Sequence, residues 1–222
     1  MKYSFILLTI GLLITILSGC ATSRGLIQIP TPQHLTNSQE VLASKKAVIV
    51  VVKDNRTFQD KPPTADIPSL KGGLSKATVE EKAKAIARKR NGYGKALGDI
   101  LLKDETVSEL LEKRVAHALQ QSGYEVIANN DVNNANADLI LNIKINKFWS
   151  WFQPGFASIK IHSEIDTDVV NTKNADIVPI HIYTKVTKSA QIANSAKWIE
   201  NINQLLNDYE TKLISSLPKA TQ

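Results

Sequence analysis

One cysteine, Cys20, and one methionine, Met1, occur in 222 residues. A lone thiol closes no disulfide within the chain and builds no thiolate metal site, so stability has to come from packing. The four histidines, His34, His117, His162 and His181, are widely spaced, and no two stand at metal-ligand spacing on a helix. There is no Gly-x-Ser-x-Gly nucleophile elbow and no acidic cluster of the calcium-binding kind. The stretch Gly92-Tyr93-Gly94-Lys95-Ala96-Leu97-Gly98 lacks the Walker spacing, has no Ser or Thr after Lys95 and follows no expected strand, so it reads as a flexible hinge. No apolar run is long enough to span a membrane, since Phe5 to Leu17 falls well short of the ~20 residues required. These absences weigh against an enzyme, and no metal or cofactor is expected.

The first twenty residues do contain a short positive start (Met1, Lys2), that apolar run, and then Leu17-Ser18-Gly19-Cys20. This is the layout of an export signal. The order Leu, small, small, Cys resembles the lipobox of bacterial lipoproteins. The resemblance implies cleavage before Cys20, palmitate-type acylation of that cysteine, and Cys20 as residue one of the mature chain. An ordinary signal peptide with a cysteine nearby is the alternative. In lipoproteins an aspartate after the cysteine favours retention at the inner membrane. Ala21 stands there, so the resemblance implies an outer-membrane anchor with the domain facing the periplasm. In that compartment the formal charge of +6 meets lipid headgroups, lipopolysaccharide phosphates and acidic protein surfaces, not nucleic acid.

A hydrophobic share of 43% with 22% charged residues is that of a globular chain. The expected organisation is a signal over residues 1–19, the lipidated cysteine and a flexible tether over 20–45, one domain over 46–218 with a charged insert at about 57–95, and a tail over 219–222. Ala47 to Val52 is a β-branched run suited to a central strand, with a buried helical turn as the alternative. Asp54-Asn55-Arg56 ends it, and an irregular loop follows to Gly73. Thr78 with Glu81 has capping-box spacing and opens a helix to about Arg90. Thr106 with Glu109 repeats the box ahead of a stripe of Val107, Leu110, Leu111, Val115, Ala118 and Leu119, which Gly123 terminates. Tyr124 to Ile127 reads as a strand, and the strand–helix–strand order suits two parallel strands in one sheet. Three alternating strands follow, marked by Leu139, Leu141, Ile143 and Ile145, then Ile159, Ile161, Ile165 and Val169, then Ile180, Ile182 and Val186. Ser195 to Leu217 closes the chain as an amphipathic helix. The fold class is α+β: a mixed, mainly antiparallel sheet with helices packed on one face, as a two-layer sandwich.

Regular alternation fixes the hairpins, because a slip of one residue exchanges the two faces. A three-residue loop, Gln153-Pro154-Gly155, would set Phe152 opposite Phe156 and Phe148 opposite Lys160. Trp149 and Trp151 then belong to the core, and Phe148, Phe152 and Phe156 form an outward patch suited to a partner or the membrane interface. The alternative is that the loop of residues 54–105 covers those rings. A four-residue loop, Lys173 to Asp176, would pair Glu164 with Lys185 and Asp168 with His181, each worth ~0.2–1 kcal/mol as a solvated cross-strand pair. A second candidate site is the basic helix, where Lys82, Lys84, Arg88, Lys89 and Arg90 can meet lipid or lipopolysaccharide phosphates. A solvated helical face is the plainer reading.

The lipobox, the Val-rich first strand followed by Asp54 and Arg56, the glycine-bearing loop, the Val107 to Gly123 helix and the late meander together resemble the YajG-type family of uncharacterised outer-membrane lipoproteins. The longer charged insert and the Phe/Trp-rich hairpin depart from that pattern. The resemblance implies a membrane-anchored, non-enzymatic binding or structural module of the cell envelope whose partner is an envelope protein or lipid. The alternatives are an accessory subunit of an envelope transport or secretion machine, or a binder of anionic lipid or lipopolysaccharide.

Overall fold

The computed structural model of the protein describes residues 23–32, 45–91, 93–130, 135–173 and 179–218. Cys20, His34, the signal and the 219–222 tail lie outside them. The elements run β1 (Gly25–Ile27), β2 (Lys46–Asp54), α1 (Val79–Lys84), β3 (Ala85–Arg90), β4 (Ala96–Leu102), α2 (Val107–Gln121), β5 (Glu125–Ile127), β6 (Leu139–Pro154), β7 (Ile159–Asn171), β8 (Ile180–Ala190) and α3 (Ser195–Ser216). The fold is α+β. One eight-stranded sheet has the order β1-β4-β3-β6-β2-β5, with β7 on the other edge of β6 and β8 outside β7.

The Val-rich run forms β2 between β5 and β6, parallel to both, so strand, α2 and β5 make the expected parallel crossover. Strand β6 is longer than any neighbour and forks the sheet. Its first half pairs with β2, from Ala47 opposite Leu139 to Asp54 opposite Ile145, and further on Ser150 pairs with Ala87 of β3. Arg56 fills the gap between the two partners. Its guanidinium grips Asp54 in a bidentate pair at 2.8 and 2.7 Å and donates to the carbonyls of Ala85, Phe148 and Lys82 at 2.6, 3.2 and 2.9 Å.

The register of β6 departs from simple alternation. Ile145 is opposite Thr167 but Lys147 is opposite Asp166, so Asn146 is an extra residue, held by hydrogen bonds from its amide to Asp166 and Asp168. A β-bulge of this kind exchanges the faces beyond it. Leu139, Leu141, Ile143 and Ile145 belong to the main core, and after the bulge so do Phe148 and Phe152. The outward patch expected from Phe148, Phe152 and Phe156 is therefore corrected: the first two are buried and only Phe156 is in solvent. Trp149 and Trp151 move to the opposite face, into a second cluster with Ala85, Leu101 and Leu70, where Phe58, Ala65 and Ala77 pack over it. The loop after β2 thus does cover rings, but those of the tryptophans, and Trp149 donates its indole N–H to the Ala65 carbonyl at 3.2 Å. Phe152 pairs with Ile161, not Phe156. The second hairpin keeps its expected register, with Glu164 opposite Lys185 and Asp168 opposite His181, while residues 174–178 of its turn lie outside the described residues.

Two further expectations are corrected. The helix from Thr78 keeps its capping box but stops at Lys84, and Ala85–Arg90 is strand. Alanine-rich helix propensity is overridden here because Ala85, Ile86 and Ala87 are fully buried between β4 and β6. In the glycine-bearing stretch Gly92 lies outside the described residues, Tyr93 to Lys95 belong to the β3–β4 turn, and Ala96 to Gly98 open β4. The tether of residues 20–45 is also shortened: Gly25–Ile27 is a strand parallel to β4, Ile27 and Ile29 are buried, and the Pro30 carbonyl accepts from Arg114 at 3.0 Å.

Helices α2 and α3 follow the predicted stripes and share the main core with the sheet. Between them Arg114 and His117 both bond Glu210, at 3.0 and 2.9 Å. Gly123 takes φ 87°, as a terminating glycine requires.

Candidate functional site

Main-core packing is incomplete at one end of the sheet. A cleft of about 670 Å³ remains between β1, β3 and β4 on one side and Phe152, residues 192–194 and the first turn of α3 on the other. Its apolar wall is built from Ile27, Leu97, Ile100, Phe152, Ile192 and Trp198. Each is there for a local reason. The parallel pairing of Gly25 with Ile100 brings β1 onto the wall, and the bulge at Asn146 turns Phe152 inward. Trp198 is the first large residue of the α3 stripe. Its buried indole N–H has no acceptor among the described residues, which ordinarily costs about 1–3 kcal/mol.

The mouth of this cleft is positive. Lys89 and Arg90 line it together with Asn194 and Ser195 at the start of α3. Asn194 caps α3 by accepting from the Lys197 backbone N–H, and the first turn has no acidic residue to offset the helix dipole. Burial, and then the neighbouring Arg88 cation, push the Arg90 guanidinium down from its ordinary value. Its contact is the Gly94 carbonyl at 2.9 Å, and Lys89 donates to the Ser23 carbonyl at 3.2 Å. A concave apolar wall with a few convergent polar groups suits a ligand that has an apolar body and an anionic or acceptor end.

The sequence-predicted basic site is taken apart by the end of α1. Lys82 and Lys84 stay on the short helix, where Lys84 pairs with Glu80 at 2.7 Å. Arg88, Lys89 and Arg90 lie on β3, Arg88 donating to Ser69 at 3.2 Å. Leu97, Ile192 and Trp198 carry the cleft but give weak sequence signals. The first lies in a glycine-bearing stretch of sequence, the second is one apolar residue in a polar loop, and the third belongs equally to a core stripe.

A second polar cluster covers Trp151. Glu164 accepts from Lys147, from Lys185 at 2.7 Å and from the Tyr183 hydroxyl at 3.0 Å. Burial pushes the Glu164 carboxyl up, but those three bonds outweigh it and hold it below the usual carboxylate range. The Lys147 and Lys185 ammonium groups stand 5.5 and 5.1 Å from the Trp151 ring centre, and His162 stacks on the ring at 5.1 Å. Nearby, His181 bonds Asp168 at 3.0 Å. His162 also bonds the Thr187 hydroxyl at 2.9 Å, and among the described residues no group of three His, Cys, Asp or Glu can hold a metal ion.

The two exposed-face histidines are expected to titrate on opposite sides of 6.5. The hydrogen bond to Asp168, then the charge of Asp166, raises His181, whereas burial, then Lys185 and Lys160, lowers His162. A histidine with a depressed folded pKa contributes stability that is complete above its unfolded pKa and lost as pH falls through the folded value. His181 has the opposite sign, and its contribution is lost as pH rises through its raised pKa. Ring proton NMR should therefore show His181 protonating before His162 on acidification. The reverse order would contradict the stacking of His162 on Trp151.

Among the described residues no helix is long and apolar enough to cross a membrane. No curated protein matches the chain. Among solved structures, protein XCC0632 from Xanthomonas campestris is 13% identical over 86% of this chain and 91% of its own, with a TM-score of 0.48. Lipoprotein GNA1162 from Neisseria meningitidis is 10% identical over 74% of this chain and 96% of its own, with a TM-score of 0.32. A family described as uncharacterized lipoprotein matches residues 81–216, from within α1 to the end of α3, and takes in every wall of the cleft except β1. The chain belongs to this uncharacterized lipoprotein family.

Proposed function

We propose that the protein is a non-enzymatic binding module of the cell envelope, held at the outer membrane by a lipid on Cys20 with its domain in the periplasm, and that its cleft receives the apolar part of an anionic amphiphile. The observation that carries this reading is the open end of the main core, where apolar side chains, among them Trp198 with its indole N–H lacking an acceptor among the described residues, meet two cations. The basic residues expected on a helix contribute here through Lys89 and Arg90. The groove beside β5, lined by Thr31, Pro32, Glu112, His117 and Asn129, is the weaker candidate because Pro32 is the last described residue before 33–44.

The test is titration of the mature protein with a dansyl-labelled fatty acid. Saturable enhancement of dansyl emission is expected, with affinity at least tenfold weaker, or about 1.4 kcal/mol, in Leu97→Glu, which sets a carboxylate against the ligand's own charge. Thermal melts check that this variant still folds. Absence of saturable binding, or equal affinity in folded Leu97→Glu, removes the cleft from the proposal. The anchor is tested separately by the mass of the amino-terminal peptide from envelope-extracted protein. It should begin at Cys20 and carry acyl chains, and an unmodified Cys20 would refute it.

A further inference from the structure

Three loop tips come out at the same end of the sheet. β3 runs parallel to β6, with Ala87 opposite Ser150, so the β3–β4 and β6–β7 turns share that end. Ile159 lies opposite Ala190, which brings the β8–α3 loop there as well. Each tip holds a large apolar side chain in solvent: Tyr93 is 98% exposed, Phe156 110% and Ile192 63%. Two of the turns are constructed around these residues. The Asn91 side chain accepts from the Tyr93 and Lys95 backbone N–H groups at 3.1 and 2.9 Å, and Gly94 takes φ 78°. Gly155 packs so closely that a Cβ would stand 2.4 Å from the Ser158 carbonyl oxygen. Three exposed apolar residues on neighbouring turns are what a membrane interface accepts and a water-facing loop set does not need.

The charge around the tips has one sign. Residues 89–98, 151–163 and 186–199 contain no Asp or Glu but hold Lys89, Arg90, Lys95, Lys160, Lys188 and Lys197. Of these, Lys188 and Lys197 bond Glu200. The chain also enters the fold here. β1 is parallel to β4, Gly25 opposite Ile100, so the chain leading into β1 comes from the side of the β3–β4 turn, where Lys89 holds the Ser23 carbonyl. Cys20 is three residues before Ser23, a reach of at most ~11 Å even when fully extended. An anchor so placed cannot let the domain turn its other end to the membrane.

We infer that this end of the domain seats on the anionic surface of its own membrane, with Tyr93, Phe156 and Ile192 in the interfacial layer and the basic residues against headgroup phosphates. The seat orients the cleft mouth toward the bilayer. It rests on the anchor at Cys20 but not on occupancy of the cleft, so a failed fatty-acid titration leaves it standing.

The test uses the full lipidated protein in vesicles of phosphatidylethanolamine and phosphatidylglycerol. With the native thiol acylated, Tyr93→Cys, Phe156→Cys, Ile192→Cys and, at the far end, Glu125→Cys each give one site for an environment-sensitive dye. Blue-shifted emission and quenching by nitroxide-labelled lipid are expected at the three tips and not at position 125. To exclude insertion driven by the dye, hydrogen exchange of residues 91–95 and 155–158 is compared between the unlabelled protein and Tyr93→Asp/Phe156→Asp/Ile192→Asp. Exchange should be several-fold slower in the unlabelled parent. Tips as aqueous as position 125, or equal exchange in parent and triple variant, overturn the inference.

Discussion

Arg56→Ala is expected to destabilise the domain by about 3–5 kcal/mol, the usual consequence of removing one partner from a buried ion pair. The Arg56 side chain is fully buried, and all five of its N–H groups are engaged. Truncation strands the Asp54 carboxylate and the carbonyls of Lys82, Ala85 and Phe148 at the point where β6 exchanges β2 for β3. Arg56→Lys should recover little, since an ammonium offers three donors without the planar fork that meets Asp54 bidentately. Asp54→Ala should be milder, because its carboxylate is partly exposed and the guanidinium keeps its carbonyl partners. Urea unfolding of the three variants, with m values compared to confirm two-state behaviour, reads the order directly. Equal and small losses for Arg56→Ala and Asp54→Ala would mean that the fork is held by strand pairing alone.

How much of this could be read from residues depends on which force decides each segment. Helices α2 and α3 are legible because cap, stripe and terminator agree, and β2 because its short β-branched run favours a strand over a helical turn. The register of β7 with β8 follows from matching polar partners, Glu164 with Lys185 and Asp168 with His181. Ala85–Arg90 was hidden, since local propensity and the Thr78 cap favour helix and only burial between two strands reverses the preference. β1 was hidden by brevity, three residues whose pairing with β4 is set by the rest of the sheet. The bulge was the costliest omission. Asn146 continues the polar alternation of Asn142 and Lys144, and nothing local marks it as supernumerary; its carboxylate partners, Asp166 and Asp168, come from another strand. One such residue reversed the faces of Phe148, Trp149, Trp151 and Phe152 and moved the candidate surface from a strand face to three turn tips. The cleft shares that origin, for Phe152 lines it only because the bulge turns it inward.

The same reversal makes Phe148→Ala and Phe156→Ala an informative pair. Phe148 is fully buried in the main core, opposite Ile165 in the register, and its truncation should cost about 3–5 kcal/mol through lost transfer energy and the cavity left behind. Phe156 has no burial to lose, so its truncation should stay within about 0.5 kcal/mol. An unbulged β6 would place Phe148 outward beside Phe156, and both substitutions would then be cheap. Phe152→Ala discriminates further: its ring lines the cleft and retains slight exposure, so part of its transfer energy is not at stake and its cost should fall below that of Phe148. Urea midpoints in the order Phe148, Phe152, Phe156, lowest first, are therefore the expected result. Phe148→Ala as mild as Phe156→Ala would remove the bulge, and with it the inward turn of Phe152 on which the cleft wall depends.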